Sequence, residues 1–488
     1  MTVSPLPTST PSAQGVDASR VLAFLDALDA CEAVEPHGVM ILRHDHVVAS
    51  GWWAPYHPDR MHLLYSISKS FTATAAGLAV AEGLIGLDDP VVSYFPEFEA
   101  DITDPRSRAM RIRHLASMTS GHEAETLDRA RALDPDDLVR GFLLLPPERD
   151  PGTVFAYNQP ATYALAAILQ RVTGQTLTAY LRPRLLDPLG IGETGWLTDR
   201  TGRELGFSGL HAATDALARL GLLYLGEGLW EGKRLLSPEW VAEATRSHIP
   251  TAGHGERAEG DWVRGYGFSF WRSRHGYRGD GAYGQFCLVL PEHDAVIATT
   301  AATGDMQALL DLVWEHLIPA FGPERLTGRD DADTALAERL ARLALPPAPG
   351  APAPPERADQ WSGAEFTPYG GACADQPGLT GASVAVDADG WTLTLVEDGD
   401  RLRAALGSGG WRVADEPLPL AVSGGWSDGD TLAVDLALLE TPHRLRVTCA
   451  LADRTFTAHW TTRPLHAGPL RLKRAPLPAA GVSGPSGG

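Results

Sequence analysis

The sequence predicts an α/β sandwich followed by a smaller, mostly β domain, and three observations carry that prediction. Apolar runs of strand length stand near both ends of the N-terminal part of the chain and enclose a middle of helical periodicity. The stretch Leu345-Pro346-Pro347-Ala348-Pro349-Gly350-Ala351-Pro352-Ala353-Pro354-Pro355 then breaks the pattern and reads as an extended linker or a surface crossing. Beyond it the apolar residues alternate with period two. At 488 residues the chain exceeds one ordinary core. The expected division is a flexible leader over 1–15, the α/β unit over 16–335, a linker over 336–358, a β domain over 359–475 and a disordered, low-complexity tail over 476–488.

The elements follow in order. Val21, Leu22, Phe24, Leu25 and Leu28 give residues 18–30 a helical spacing. Residues 38–43 and 46–51 read as a hairpin about His44-Asp45; His44 and His46 offer a metal two donors with no third nearby, so they are taken as turn residues. From Phe71 the chain is apolar and rich in small residues, with nothing that breaks a helix until Gly83, and the first turn of that helix carries Ser66 and Lys69. Ile112, Leu115 and Met118 suit a further helix closed by Gly121. His114 and His122 beside it are read first as structural or surface histidines and only second as general bases. The turn 151–159 presents Tyr157 and Asn158 ahead of an apolar helix over 163–172 that Gly174 ends. Strands are expected over 265–271, 282–290 and 295–301, then a long amphipathic helix over 305–318. In the β domain, 384–395 reads as a hairpin with an Asp-Gly turn, and 432–436, 443–448 and 455–460 as strands. Gly484-Pro485-Ser486-Gly487-Gly488 matches the GxSxG pattern with no strand before it and no helix after it, and is set aside.

Composition narrows the function. A formal net charge of −20, with no run of Lys or Arg, argues against nucleic acid and anionic membrane surfaces as partners. The N-terminus lacks the basic segment and apolar core of a secretory signal, and no run of about 18 apolar residues offers a bilayer span. Cys31, Cys287, Cys373 and Cys449 are scattered without CxxC spacing, which suits free thiols in a reducing compartment, so a cytoplasmic location is expected. HExxH and Walker patterns are absent, and the glycines of 276–284 lack the context of a phosphate loop; no metal and no cofactor is expected.

Ser66-Ile67-Ser68-Lys69 carries the chemistry. Residues three apart share a helix face, so a hydroxyl at the positive end of the helix dipole stands one turn from an amine that can take its proton, the SxxK device of serine acyl enzymes. The competing reading is a helix-capping serine with a solvated lysine. For Tyr157-Asn158 it is a buried tyrosine followed by an Asn turn.

Taken together, Ser66-Ile67-Ser68-Lys69, Leu87-Asp88-Asp89-Pro90, Leu115-Ala116-Ser117-Met118-Thr119-Ser120-Gly121, Tyr157-Asn158, Val172-Thr173-Gly174, Asp187-Pro188-Leu189-Gly190, the run 209–219 and Gly281-Ala282-Tyr283-Gly284-Gln285 resemble, in this order, the class C β-lactamase and penicillin-binding-protein-like serine hydrolases. The similarity covers roughly residues 20–320. It implies a β-lactamase-like α/β sandwich, an antiparallel sheet flanked by helices with an all-helical subdomain. Carried over by position, it makes Ser66 the nucleophile and Lys69, kept partly neutral, the group that takes its proton. Tyr157 is then the group that shuttles the proton to the leaving group and later activates water, and the N–H groups of Ser66 and Ala282 form the oxyanion hole.

Two departures stand out. The family's tyrosine motif is usually Tyr-any-Asn; here Asn158 follows Tyr157 directly and Gln159 takes the third place, so either amide can fill the substrate-binding role, with Asn158 preferred. Where β-lactamases carry Lys-Thr-Gly, this chain reads Gly279-Asp280-Gly281. The cation that clamps a substrate carboxylate is missing, and Asp280 would repel one unless Arg278 or His275 restores the charge. Penicillins and D-Ala-D-Ala ends are therefore expected to be poor substrates, and a neutral or amine-bearing small-molecule ester or amide a better one. The expected function is hydrolysis of ester or amide bonds through an acyl-Ser66 intermediate, with Asp280, Gly281 and Ala282 lining the substrate. An acyltransferase using the same acyl-enzyme and a non-catalytic binding protein on the same scaffold are the alternatives. The role of the β domain and a homo-oligomeric state stay open.

Overall fold

The computed structural model describes residues 5–252 and 260–476, and its first part is built on a six-stranded antiparallel sheet. The strands are β1 (Val34–Arg43), β2 (His46–Trp52), β3 (Trp271–Arg272), β4 (Tyr277–Gly281), β5 (Gln285–Leu290) and β6 (Ala295–Thr303), in the spatial order β2-β1-β6-β5-β4-β3. β1 pairs with β6 from Val34↔Thr303 to Arg43↔Ala295, so the two ends of this unit close on each other. Every residue of β5 and β6 is buried, which requires cover on both faces and explains their unbroken apolar sequence.

The helices that matter for the site are α1 (Ala18–Ala30), α2 (Ile67–Ala81), α3 (Gln159–Thr173) and α4 (Thr214–Leu225). α2 is buried continuously from Ile67 to Ala79 and packs against α3, as an all-round apolar, small-residue helix must. Gly77 lets the Trp240 indole lie against it, where a Cβ would come within 2.4 Å. Short helices Ile112–Ala116 and Leu138–Leu144 cover α3 and form the helical subdomain. A separate ten-stranded sheet occupies the C-terminal part around its own apolar core, which includes Trp361, Leu395, Leu436 and Val447. No described helix is long and apolar enough to cross a membrane.

Several expectations need correction. From Pro7 the leader is tied down rather than flexible: Val47 N donates to Pro7 O at 2.8 Å, Ser9 N to Val47 O at 3.1 Å, and Ser12 bonds Asp333. Residues 265–270 do not form a strand, which begins only at Trp271. Gly265 and Ser269 sit at φ +103° and +61° and bend the backbone, and Phe268 N and Ser269 N donate instead to Ala244 O and Ala116 O. Of the two readings of the proline-rich stretch, the surface crossing fits, with Leu345 N bonded to Ala54 O and Ala348 N to Ser423 Oγ; the linker does not begin at 336, because a helix over Asp330–Leu340 packs on α1 there. In the β domain hairpin Asp387 pairs with Gly390, so the turn residues are Ala388 and Asp389 rather than the Asp-Gly pair. Beyond residue 476 the expected tail and its GxSxG match lie outside the described residues.

Candidate active site

The chain leaves the short strand His62–Leu63 and enters α2 through Leu64-Tyr65, with Tyr65 at φ +49°, a conformation rare for an aromatic residue. Ser66 stands at the N-cap of α2, yet its side chain makes no capping hydrogen bond. Its Oγ lies 3.0 Å from Lys69 Nζ. Lys69 is only 1% exposed, so the pair is neither a helix cap nor a solvated lysine. Lys69 Nζ also reaches Gln159 Oε1 at 2.7 Å and the Phe207 carbonyl at 2.8 Å. Both of those oxygens can only accept. A neutral amine has two hydrogens and one lone pair, and with the hydrogens given to them the lone pair is left for the Ser66 hydroxyl. Burial pushes the Lys69 pKa down to about 7, against the pull of the Glu125 and Asp280 carboxylates.

Tyr157 is half-buried in the turn that leads into α3. Its ring stacks on Trp271 with centroids 5.6 Å apart and meets Tyr266 edge-on at 6.1 Å, and Lys69 Nζ lies 4.7 Å from its centre. The preference for Asn158 as the site amide is corrected. Asn158 is fully buried and its Oδ1 accepts from Thr126 N at 3.1 Å and Thr126 Oγ1 at 2.9 Å, which anchors the helical subdomain. Gln159, the first residue of α3, is the amide that meets Lys69. Glu125, which the sequence reading passed over, accepts from Gln159 N at 3.3 Å and Leu127 N at 2.8 Å; burial of its carboxyl raises its pKa.

β4 brings the third motif to the same place. A Cβ on Gly281 would lie 2.2 Å from Leu64 O, so only glycine lets the strand run this close to the start of α2. Among the described residues, neither the Ser66 N–H nor the Ala282 N–H donates to a protein acceptor. Of the two groups named as able to offset Asp280, Arg278 reaches it: buried and two residues earlier on the strand, it donates to Oδ2 at 2.9 Å. Arg278 also reaches Ser273 Oγ at 2.6 Å and lies over the Trp262 ring. His275 packs near Trp314 and His293 and does not restore the missing cation. His114 and His122 are structural: His114 Nδ1 accepts from Arg111 N, and His122 is held between Ser120 Oγ and Leu145 O.

The C-terminal sheet adds groups with no sequence signal at all. His466 Nε2 lies 3.3 Å from Ser208 Oγ, next to the Phe207 whose carbonyl holds Lys69. Burial, then the charges of Lys473, Arg131 and Lys69, lower its pKa. His443 and the segment 462–465 meet Tyr65 and Tyr283. Among the described residues no group of three or more His, Cys, Asp or Glu is arranged to hold a metal ion.

A family model described as Beta-lactamase matches residues 28–316. The chain is 29% identical to the 6-aminohexanoate-dimer hydrolase of Paenarthrobacter ureafaciens over 289 residues, 54% of this chain and 72% of that protein. It is 28% identical to esterase EstB of Burkholderia gladioli over 215 residues, 38% of this chain and 55% of the esterase. Among solved structures, EstCE1, a hydrolase with promiscuous acyltransferase activity, shares the fold with a TM-score of 0.51 at 19% identity, over 62% of this chain and all of the other. The chain belongs to the beta-lactamase family and is a serine hydrolase with an additional C-terminal β sheet.

Proposed function

We propose that the protein hydrolyses esters or amides through an acyl-Ser66 intermediate, and the observation that carries this is the bonding at Lys69. With its two hydrogens donated to Gln159 Oε1 and Phe207 O, neutral Lys69 accepts the Ser66 proton as Oγ attacks the carbonyl carbon. The carbonyl oxygen takes the negative charge between the Ser66 and Ala282 N–H groups. Collapse breaks the bond to the leaving group, which departs with a proton relayed through the Tyr157 hydroxyl. Water then attacks the acyl carbon as its proton passes through the same hydroxyl to neutral Lys69; collapse breaks the bond to Ser66 Oγ and frees the acid, and Lys69 returns the proton to Oγ.

The surroundings support an uncharged carbonyl partner. Arg278 cancels Asp280 and is itself buried, so the third motif offers a substrate carboxylate neither a free cation nor a strong repulsion. Glu125 leaves the cleft mildly acidic beside Lys69, which suits an amine-bearing amide better than a penicillin. The relative named for 6-aminohexanoate dimer and the one named as an esterase agree with that substrate class.

The test is intact-protein mass spectrometry after a fluorophosphonate probe, with a panel of p-nitrophenyl esters and aminoacyl amides, on wild type and Ser66→Ala. One adduct that vanishes in Ser66→Ala, with ester or amide turnover, is expected. A wild type that takes no label overturns the mechanism, and turnover of benzylpenicillin at the rate of a dedicated penicillinase overturns the substrate class.

A further inference from the structure

The residues that flank the two oxyanion-hole donors are both tyrosines, and both hydroxyls end on the C-terminal part of the chain, one on a strand of its sheet and one just beyond its last strand. Tyr65 precedes Ser66 and Tyr283 follows Ala282. Each is held at positive φ, +49° and +69°, where an aromatic side chain is strained unless its surroundings fix it. The Tyr65 oxygen lies 2.6 Å from His443 Nε2 and receives a long bond, 3.4 Å, from Leu465 N. The Tyr283 hydroxyl donates to the Arg463 carbonyl.

Proton placement fixes the direction of these bonds. His443 Nδ1 lies 2.8 Å from Thr462 O, which only accepts, so Nδ1 carries the hydrogen. Burial holds the ring neutral, its pKa pushed down to about 3. Nε2 is then a lone pair and Tyr65 O–H donates to it. The Tyr65 and Tyr283 rings meet edge-on at 5.5 Å, and each lies against the His443 ring, at 5.8 and 5.4 Å. One histidine and one segment, 462–465, thus brace both sides of the place where the carbonyl oxygen would sit.

We propose that His443 of the C-terminal sheet and the segment 462–465 that follows its last strand are positioning elements for hydrolysis, holding Tyr65 and Tyr283 so that the Ser66 and Ala282 N–H groups converge on the oxyanion. The inference rests on the acyl-Ser66 reading above. It gives the C-terminal part of the chain a role in the chemistry, setting the peptide planes on either side of the developing charge.

Tyr65→Phe and Tyr283→Phe each delete one oxygen and keep the ring. Losing an oxyanion donor outright costs about 100- to 1,000-fold in kcat, so loosening one is expected to lower kcat about 10-fold on a p-nitrophenyl ester with KM within two-fold. The inhibition constant of an aryl trifluoromethyl ketone, whose serine adduct puts an oxyanion in the hole, should rise in parallel with the fall in kcat. His443→Gln, whose amide oxygen can accept the Tyr65 proton, should recover part of what His443→Leu loses. Phe variants that keep wild-type kcat and ketone affinity, even with a lowered Tm, overturn the positioning role. The acyl-serine reading fails separately, by absence of the fluorophosphonate adduct on the wild type.

Discussion

On the proposed acyl-Ser66 mechanism, the balance at Lys69 between burial and two carboxylates sets the pH at which the serine can be activated. With its pKa pushed down to about 7, the lysine is mostly protonated in mild acid and cannot take the Ser66 proton. kcat/KM should therefore rise with pH through about 7 and fall roughly ten-fold per pH unit below it. Glu125 holds the ammonium form in place, so Glu125→Gln should move this limb to lower pH; a limb that moves up, or a flat profile from pH 5 to 9, would contradict the role given to Lys69. The closeness of Ser66 and Lys69 was legible because residues three apart share a helix face, and the placing of Tyr157 beside them followed from the motif order of the resemblance. The choice between Asn158 and Gln159 was not, because it turns on which residue begins α3 and which is left to face Thr126. Two variants separate them. Asn158→Ala should cost about 2 kcal/mol in urea melts, from two buried hydrogen bonds, while folded protein still labels at Ser66. Gln159→Ala should instead lower kcat/KM with little change in stability.

Among the elements, the decisive contact is β4 against the start of α2. Gly281→Ala would put a Cβ 2.2 Å from Leu64 O, and since the obstacle is backbone, the strand or the turn into Ser66 must move. The expected result is a folded protein, destabilised by about 1–3 kcal/mol, with kcat down by 100-fold or more. Near-normal kcat would mean that the strand does not set the geometry of the Ser66 and Ala282 N–H groups. Strands β5 and β6 could be read from the sequence because burial on both faces leaves long apolar runs. The alternation of Tyr266, Phe268 and Phe270 misled for a related reason. All three rings are buried, but the backbone that carries them is bent at Gly265 and Ser269 and makes only isolated bridges at Tyr266, to Ile249 and to Trp271. Apolar period therefore reported where side chains go, and in this segment it did not report the backbone.

For the whole molecule, the two sheets are joined by contacts that no local pattern announces. Ala421, Ala437 and Leu439 of the C-terminal part belong to the N-terminal core, the Tyr65 hydroxyl lies 2.6 Å from His443 Nε2, and Arg444 meets Glu35 on β1 at 2.5 Å with both side chains only 15% exposed. Partners some four hundred positions apart carry no spacing signature, which is why the C-terminal sheet read as a separate unit of open role. If its docking sets the hydrolytic site, the molecule should unfold as one unit, with calorimetric and van't Hoff enthalpies equal. Glu35→Ala tests the joint. It leaves the Arg444 guanidinium facing Asp435 at 3.8 Å, a carboxylate already held by Arg446, so about 3 kcal/mol of stability should be lost. Loss of ester turnover and of secondary structure should then coincide along a urea titration. Two resolved transitions, with turnover surviving the first, would mean that the C-terminal sheet can leave without disturbing Ser66.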